Sequence, residues 1–169
     1  RWEIFGPDSC PADERYLWLW STDHASVDAN AGIWAATSAH PLDVPTQKGR
    51  IFLANVSTIG GQCETPALRK HPTIPGAALG YFQVKANVAL GALADQVTCR
   101  AVVTDAGLTW TFDGVAIDAV SSAIPGATVH QGYFNGGDEI GGDLLGINVG
   151  GGTYGGNQLL ESVDGGPTF

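Results

Sequence analysis

Two runs of alternating residues constrain the fold of this chain more than any other feature. In residues 80–90, Tyr81 and Gln83 belong to one parity, and Phe82 and Val84 belong to the other. A period of two is typical of a strand with one buried face. Residues 96–104 alternate in the same way, and residues 91–95 are suited to turn the chain between the runs. The two runs therefore predict an antiparallel strand pair at the centre of a β domain.

Short apolar segments separated by turn residues continue this pattern along the chain. Further strands are predicted at residues 15–21, 33–38, 50–57, 108–112, 115–120, 128–134, 140 or 144–149, and around 159–160. Asp113-Gly114 predicts a hairpin turn, residues 1–15 an irregular N-terminal arm, and residues 60–79, rich in Gly and Pro, a long loop. About nine short strands without an amphipathic helix predict a single all-β domain over residues 1–169, an antiparallel β-sandwich of jelly-roll type.

Charge is unevenly distributed. The net charge is −9, and residues 101–169 contain eight acidic residues and no Lys or Arg. A nucleic-acid groove needs basic side chains to replace counterions, so this composition argues against a nucleic-acid partner. No apolar run approaches the roughly 20 residues that a membrane-spanning helix needs, so no membrane span is expected.

The three cysteines show neither a CxxC motif nor zinc spacing. Cys99 falls in a predicted strand and Cys63 at the edge of the long loop, so we expect these two to form a disulfide in an oxidising compartment, with Cys10 left as a thiol. The alternative is three buried thiols, which are common in protein cores.

Catalytic templates are missing from the sequence. It contains no GxSxG, HExxH or P-loop motif, and its four histidines are dispersed. We therefore predict no catalytic residues and no cofactor, with the exception of a calcium ion. Asp138, Glu139 and Asp143 lie in a glycine-rich acidic tail, and calcium tolerates varied oxygen ligands. The alternative for these three residues is a set of glycine turns with solvated acids.

Tryptophans mark the candidate contact surface. Trp18, Trp20, Trp34 and Trp110 lie in alternating apolar segments, which favours packing in the core or between subunits over stacking on sugars. Residues 16–20 are apolar on both faces. A two-layer sandwich leaves one of these faces outside, so either the N-terminal arm or a neighbouring subunit must cover it. We predict a homo-oligomer with at least one of these four indoles buried between subunits.

Four motifs stand out in the second half of the chain: Gly-Tyr-Phe-Gln-Val-Lys-Ala-Asn-Val at residues 80–88, Asp-Gly-Val-Ala at 113–116, an apolar strand followed by Gly-Asp-Glu-Ile within 129–140, and a glycine-rich loop at 150–157. In this order they resemble the trimeric jelly rolls of the TNF and C1q type and the jelly-roll heads of phage tail and fibre proteins. The resemblance covers residues 80–169 and implies three-fold assembly with a binding or structural role.

Three functions follow as hypotheses. The first is a non-enzymatic structural or attachment subunit of a virion or other extracellular assembly, acting through contacts with itself and with other assembly proteins or surface glycans. The second is a secreted carbohydrate-binding or adhesion module that works as a monomer. The third is a secreted hydrolase on a β-sandwich, which requires two carboxylates facing each other across a groove.

Overall fold

A computed structural model describes residues 1–22, 32–51, 53–54, 63–85, 96–117, 139–140, 143–150 and 156–162. Nearly all regular structure in these ranges is β-strand, and helix is confined to short turns. The predicted all-β sandwich class is confirmed, and its jelly-roll topology stays a prediction. No helix within these ranges is long and apolar enough to cross a membrane.

The first sheet is formed by β1 (Tyr16–Thr22), β2 (Gly32–Ser38) and β3 (Thr46–Arg50), in that order and all antiparallel. The predicted strands at 15–21 and 33–38 are confirmed. Apolar residues on both faces of a strand are typical of a central strand or of one beneath another layer, but among the described strands β1 lies at the edge of its sheet. The third strand begins and ends earlier than the predicted strand at 50–57.

The second sheet contains five strands in the order β4, β8, β7, β6, β5. These are β4 (Leu53–Ala54), β5 (Cys63–Lys70), β6 (Ala78–Lys85), β7 (Gln96–Thr104) and β8 (Thr109–Ile117). β6 and β7 pair antiparallel from Ala78↔Val103 to Lys85↔Gln96, which confirms the central pair predicted from the alternating runs. β4 pairs parallel with β8, and the other pairs are antiparallel.

The predicted long loop at residues 60–79 is wrong for most of its described length. Residues 63–70 form β5, and only residues 71–77 connect it to β6. Pro66 favours a loop because proline donates no backbone hydrogen bond. The register shifts between Glu64 and Ala67, around this proline, and β5 lies at the edge of its sheet. Edge strands and bulges are the positions where a sheet tolerates proline.

The predicted hairpin turn at Asp113-Gly114 is also wrong. Both residues lie inside β8, where Arg100 pairs with Gly114 and Ala101 pairs with Phe112. Asp113 is therefore the extra residue of a β-bulge, and Gly114 adopts a φ of 130°, a conformation that favours glycine. The Asp113 carboxylate accepts a hydrogen bond from Arg100 Nε at 2.7 Å across the bulge. The bulge and this ion pair accommodate Asp113-Gly114 within β8, although the dipeptide alone predicts a turn that would end the strand.

A third sheet contains β9 (Glu139–Ile140), β10 (Asp143–Gly150) and β11 (Gly156–Ser162), in the order β11, β10, β9. The strands predicted at 144–149 and around 159–160 are confirmed. The strand predicted at 128–134 lies outside the described residues.

The core is shared by the first two sheets and the N-terminal segment. Ile33 and Ala35 of the first sheet belong to the same buried cluster as inward-facing residues of the second, which are Ala78, Phe82, Cys99, Ala101, Val103 and Trp110. The Phe82 and Trp110 rings meet edge to face, with centroids 6.1 Å apart. Instead of an irregular arm, the N-terminal segment has one helical turn, α1 (Trp2–Phe5), and two 3₁₀ turns, and it adds Phe5 and Cys10 to the core.

Candidate contact surface on the first sheet

An aromatic strip occupies the outer face of the first sheet. We define it as Tyr16, Trp18 and Trp20 on β1 together with Trp34 on β2, which pairs directly with Trp20. Alternate residues of a strand share a face and lie roughly 6.6 Å apart, so the three β1 rings follow one another along the strand edge. Tyr16 is 37% exposed and Trp18 is 38% exposed, while Trp20 and Trp34 are half-buried. The strip is a partly solvated aromatic surface at a sheet edge.

Residues of the opposite parity explain why the aromatic side chains point outward. Leu17 and Leu19 pack against the buried cluster, and Ile33 and Ala35 of β2 belong to it. A shift of one residue in register would exchange the two faces of the strand, so these inward contacts determine which face Trp18 occupies. The burial of Leu17 and Leu19 therefore places the aromatic side chains of β1 on the outer face.

Trp18 is held in a defined orientation. Its indole Nε1 donates a hydrogen bond to Ser38 Oγ at 2.9 Å, and Ser38 Oγ donates to the His40 carbonyl at 2.7 Å. Ser38 is buried, so this chain of hydrogen bonds is shielded from solvent on one side. The indole consequently presents its exposed surface without rotating freely, which lowers the entropy cost of binding a partner.

Part of the N-terminal segment packs on the inner face of β1, opposite the strip. Ile4 and Phe5 line one apolar pocket with Leu17 and Leu19, the inward-facing residues of β1, and with Leu68 of β5. The pocket has a volume of about 210 Å³, and Arg1 completes its lining. We call these six residues the apolar pocket. Ile4 and Phe5 of the N-terminal arm, one of the two covers considered for the outer face, therefore lie against the inner face.

An ion-pair network holds this segment to the first sheet. Glu14 accepts hydrogen bonds from Arg1 Nη1 at 2.6 Å and from Lys48 Nζ of β3 at 2.5 Å. Arg1 Nε also donates to the Ala106 carbonyl at 2.7 Å, and the Arg1 side chain is only 4% exposed. The hydrogen bonds from Lys48 and Arg1 lower the pKa of the Glu14 carboxyl below its ordinary value. Nearby, the Arg15 guanidinium lies 4.2 Å from the centroid of the Trp2 ring, a cation–π contact.

Trp110 does not belong to the contact surface, which corrects one of the four predicted interface residues. It is fully buried on the inner face of β8, and its Nε1 donates to the Gly107 carbonyl at 3.0 Å. A side chain with no exposed surface inside one chain has none to offer a second subunit. The structure groups Trp18, Trp20 and Trp34 and adds Tyr16, whose place on the same face follows from its parity.

The predicted cation site falls largely outside the described side chains. Asp138 lies outside the described residues, and Glu139 and Asp143 begin β9 and β10. Their strands pair with Asp143 opposite Ile140 and Leu144 opposite Glu139. Within the part of the chain that the structure describes, no three His, Cys, Asp or Glu side chains cluster as a metal site would require. The calcium site at these three residues stays a prediction.

The predicted disulfide joins strands that are not neighbours. Cys63 is on β5 and Cys99 on β7, and β6 lies between them. Adjacent strands are about 4.8 Å apart, so β5 and β7 are separated by roughly 10 Å, whereas bridged cysteines have Cα atoms within about 7 Å. The sheet order argues against this pairing, which stays a prediction for thiol labelling to decide. Cys10 is buried, and desolvation raises the pKa of its thiol.

Two titratable residues that could suggest catalysis have structural partners. Asp113 is paired with Arg100, as described above. His71, in the connection between β5 and β6, accepts hydrogen bonds at Nδ1 from the backbone N–H groups of Thr73 and Ile74, at 3.2 and 3.1 Å. Burial lowers the pKa of His71, which favours the neutral ring that these two bonds require. His24 and His130 lie outside the described residues.

Sequence reasoning missed two surface features. One is the apolar pocket, which combines residues from the N-terminal segment, β1 and β5, far apart in the chain. The other is the turn between β2 and β3, where Leu42 is 96% exposed and Val44 is 93% exposed. Pro41 and Pro45 flank these residues and favour an irregular connection, but nothing in the local sequence indicates that the aliphatic side chains project into solvent.

Comparison of the chain with protein-family models, with curated proteins and with solved structures finds no match.

Proposed function

We propose that this chain is a non-enzymatic structural or attachment subunit of a virion or other extracellular assembly. It acts through protein–protein contacts, and its first partner is a second copy of itself, with a trimer as the favoured assembly. The jelly-roll resemblance of residues 80–169 supports the three-fold symmetry. Other assembly proteins or surface glycans are the further partners of such a subunit.

One observation carries the proposal: the N-terminal segment packs on the inner face of β1, while Tyr16 and Trp18 stay exposed on the outer face. Partly exposed large aromatic side chains in a row are a typical feature of association surfaces. Tyrosine and tryptophan are also the residues that most often dominate binding energy at interfaces. The half-buried Trp20 and Trp34 extend this surface from β1 onto β2.

The surface is suited to association because it is ordered before binding. β1 pairs with β2 over its full length, from Tyr16↔Ser38 to Thr22↔Gly32, and the Trp18 ring is fixed by Ser38. A preorganised surface loses little conformational entropy when a partner covers it. Among the described strands β1 also lies at the edge of its sheet, so a neighbouring subunit can approach the strip without displacing a described strand of that sheet.

The proposal is tested by replacing Tyr16 and Trp18 together with serine. We expect the wild-type protein to associate at micromolar concentration, and the double variant to dissociate at least about tenfold more readily, because central aromatic residues carry much of an interface's energy. Light scattering measures the mass of each, and circular dichroism checks that the fold is kept. Ile74→Ser is the matched control, since Ile74 is a comparably exposed apolar residue, at 44%, in a different part of the chain.

A wild-type chain that is monomeric at these concentrations contradicts the proposal. So does an oligomer whose dissociation is equally affected by the double change and by Ile74→Ser. In the latter case the aromatic strip would be no more important than any exposed apolar residue.

Carbohydrate binding is the second candidate, and the fixed indole of Trp18 is the observation that favours it. An indole held edge-on by Ser38 and exposed on its remaining surface provides a platform on which the apolar face of a sugar ring stacks. A glycan array separates the two candidates. The adhesion module predicts glycan binding by a 17.5 kDa monomer that Trp18→Ser abolishes, whereas the assembly subunit predicts self-association in the absence of any sugar.

A further inference from the structure

His71 begins the connection between β5 and β6 and closes its first turn with its own ring. Nδ1 accepts hydrogen bonds from the backbone N–H groups of Thr73 at 3.2 Å and Ile74 at 3.1 Å, and Thr73 Oγ1 lies 3.5 Å from the same nitrogen. Pro72 and Pro75 have no N–H, so the ring binds both amide donors of residues 72–75. An amide donates only, so Nδ1 must carry a lone pair and the ring proton must lie on Nε2.

The backbone bonds at the far end of the connection do not involve the ring. The His71 N–H donates to the Ala77 carbonyl at 3.0 Å, and the Ala77 N–H donates to the Ile74 carbonyl at 3.2 Å. Beyond them, β5 and β6 are paired from Lys70↔Ala78 onward. A change at the imidazole can therefore open the turn at residues 72–74 while the strands on either side stay paired.

Protonation is the change to which this turn is sensitive. It converts Nδ1 from an acceptor into a donor, so that an N–H group of the ring would face the N–H groups of Thr73 and Ile74. The observed turn is incompatible with a charged ring. Histidine is also the side chain whose ordinary pKa places its charge change between pH 5 and 8.

A carboxylate on a neighbouring strand acts on the charged form. Burial lowers the pKa of His71, and the Asp113 carboxylate of β8 opposes this by raising it. Asp113 Oδ2 accepts a hydrogen bond from Arg100 Nε of β7 at 2.7 Å, and the Asp113 side chain is 47% exposed. A charged imidazole therefore has a partner on the same sheet once it leaves the two amides.

We propose that His71 is a proton-operated switch in the connection between β5 and β6. With a neutral ring, the turn at residues 72–74 is closed on Nδ1. With a charged ring, the two amides are released and the imidazolium pairs with Asp113. The acid form presents a different surface around Ile74, which is already 44% exposed in the closed form. The switch goes beyond the proposed function, because it operates within one chain and does not depend on association.

The direction of the pH dependence follows from the lowered pKa. The closed turn is fully stabilised above the ordinary histidine value of 6.5, where the ring is neutral in both the folded and the unfolded chain. This contribution is lost as the pH falls from that value through the lower, folded pKa.

Nuclear magnetic resonance of the nitrogen-15-labelled chain tests the switch. At about pH 7.5 the His71 ring should carry its proton on Nε2, and the Thr73 and Ile74 amides should be protected from hydrogen exchange. At about pH 5 their protection, corrected for the intrinsic rate, should fall at least about tenfold, because both amides lose their acceptor. Amides of the paired β6 and β7 report global stability and should keep their protection.

Two substitutions at position 71 separate the proton from the turn itself. Asparagine places its Oδ1 where histidine has Nδ1 and does not titrate, so His71→Asn should keep both amides protected at either pH. His71→Ala removes the acceptor and should leave both amides unprotected at either pH. His40→Asn, at another described histidine, is the control and should retain the wild-type pH dependence.

A third variant tests the acid partner. Asp113→Asn removes the charge that raises the His71 pKa, so the midpoint of the His71 titration should move to lower pH. An unchanged midpoint overturns the role of Asp113. Wild-type amides that stay protected at about pH 5 with a charged His71 ring, or a ring proton on Nδ1 at neutral pH, overturn the switch. A His71→Asn protein that loses protection on acidification as the wild type does also overturns it, since the response would then come from another group.

Discussion

Glu14 is the residue that connects the N-terminal segment to the first sheet, and its pH dependence follows from its two partners. Lys48 and Arg1 hold its pKa below the ordinary value of 4.5. A carboxyl whose pKa is lowered on folding contributes stability that is fully present above the unfolded pKa. That contribution is lost as the pH falls through the lower, folded value.

Replacing Glu14 with glutamine should therefore lower the free energy of unfolding at neutral pH and flatten its acid dependence. We expect a loss of about 1–2 kcal/mol, between the values for exposed and for buried ion pairs, because Arg1 is buried and Lys48 is partly exposed. Urea denaturation at pH 7 and at a series of acid pH values measures both effects. Asp13→Asn, an exposed neighbour, is the control. Equal pH profiles for wild type and Glu14→Gln would refute the assignment.

Thr37 carries a buried hydroxyl that has no hydrogen-bond partner among the residues that the structure describes. Its side chain is 1% exposed, and its Oγ1 is unsatisfied. A buried polar atom without a partner costs roughly 1–3 kcal/mol, so Thr37→Val, which keeps the shape of the side chain, should stabilise the fold by about 1 kcal/mol. Thermal denaturation measures the change. The control is Thr46→Val at the exposed residue that pairs with Thr37. Destabilisation by Thr37→Val would show that the hydroxyl has a partner.

At the scale of elements, the packing around Gly80 explains why the central strand β6 contains a glycine. A Cβ atom at this position would lie 2.5 Å from Trp110 Cζ3 and 2.7 Å from Val103 Cγ2. Glycine here lets the Trp110 ring lie against the backbone of β6 and fill the core between the sheets. The close approach, and not a turn, is the reason for this residue.

Gly80→Ala should accordingly destabilise the protein by about 1–3 kcal/mol, the usual cost of overpacking a core. Trp110→Phe removes part of the ring that meets the new methyl group, so the double variant should be more stable than the sum of the two single changes predicts. A double-mutant cycle from urea denaturation measures this coupling. Additive effects would mean that Gly80 and Trp110 do not restrict each other.

The sequence predicted correctly those strands whose alternating pattern is visible in the segment itself. It failed for segments whose conformation depends on pairing with a neighbouring strand. β7 was predicted with its observed bounds because its alternation records one buried face. The sequence did not predict β5 because Pro66 favours a loop, and a proline is tolerated in this strand only because the strand lies at the edge of its sheet. Asp113-Gly114 predicts a hairpin turn from sequence alone. Only the pairing of Gly114 with Arg100 of β7 shows that the dipeptide forms a bulge inside a strand.

The same limit applies to the candidate site. The parity of residues 16–20 indicated an aromatic face, and the structure shows that face at the sheet edge. The parity of these residues could not indicate that part of the N-terminal segment packs on the inner face. This packing depends on Ile4 and Phe5, which contact a pocket that also includes Leu68 of β5. Trp110 was included among the interface residues because burial within the chain and burial between chains leave the same pattern in a sequence.

At the scale of the whole molecule, we propose that another copy of the chain covers the outer face of the first sheet. Two aromatic residues that are each more than one-third exposed, on an ordered edge strand, are the basis of this claim. The eight acidic side chains within residues 101–169 should then face away from the assembly axis, since like charges gathered there would repel.

The molar mass in solution tests this claim most directly. Multi-angle light scattering on the wild-type protein at micromolar concentration should return a multiple of 17.5 kDa, with three copies as the favoured value. The mass should fall toward that of a single chain when Tyr16 and Trp18 are both replaced by serine. A wild-type mass of 17.5 kDa across this concentration range would contradict the account.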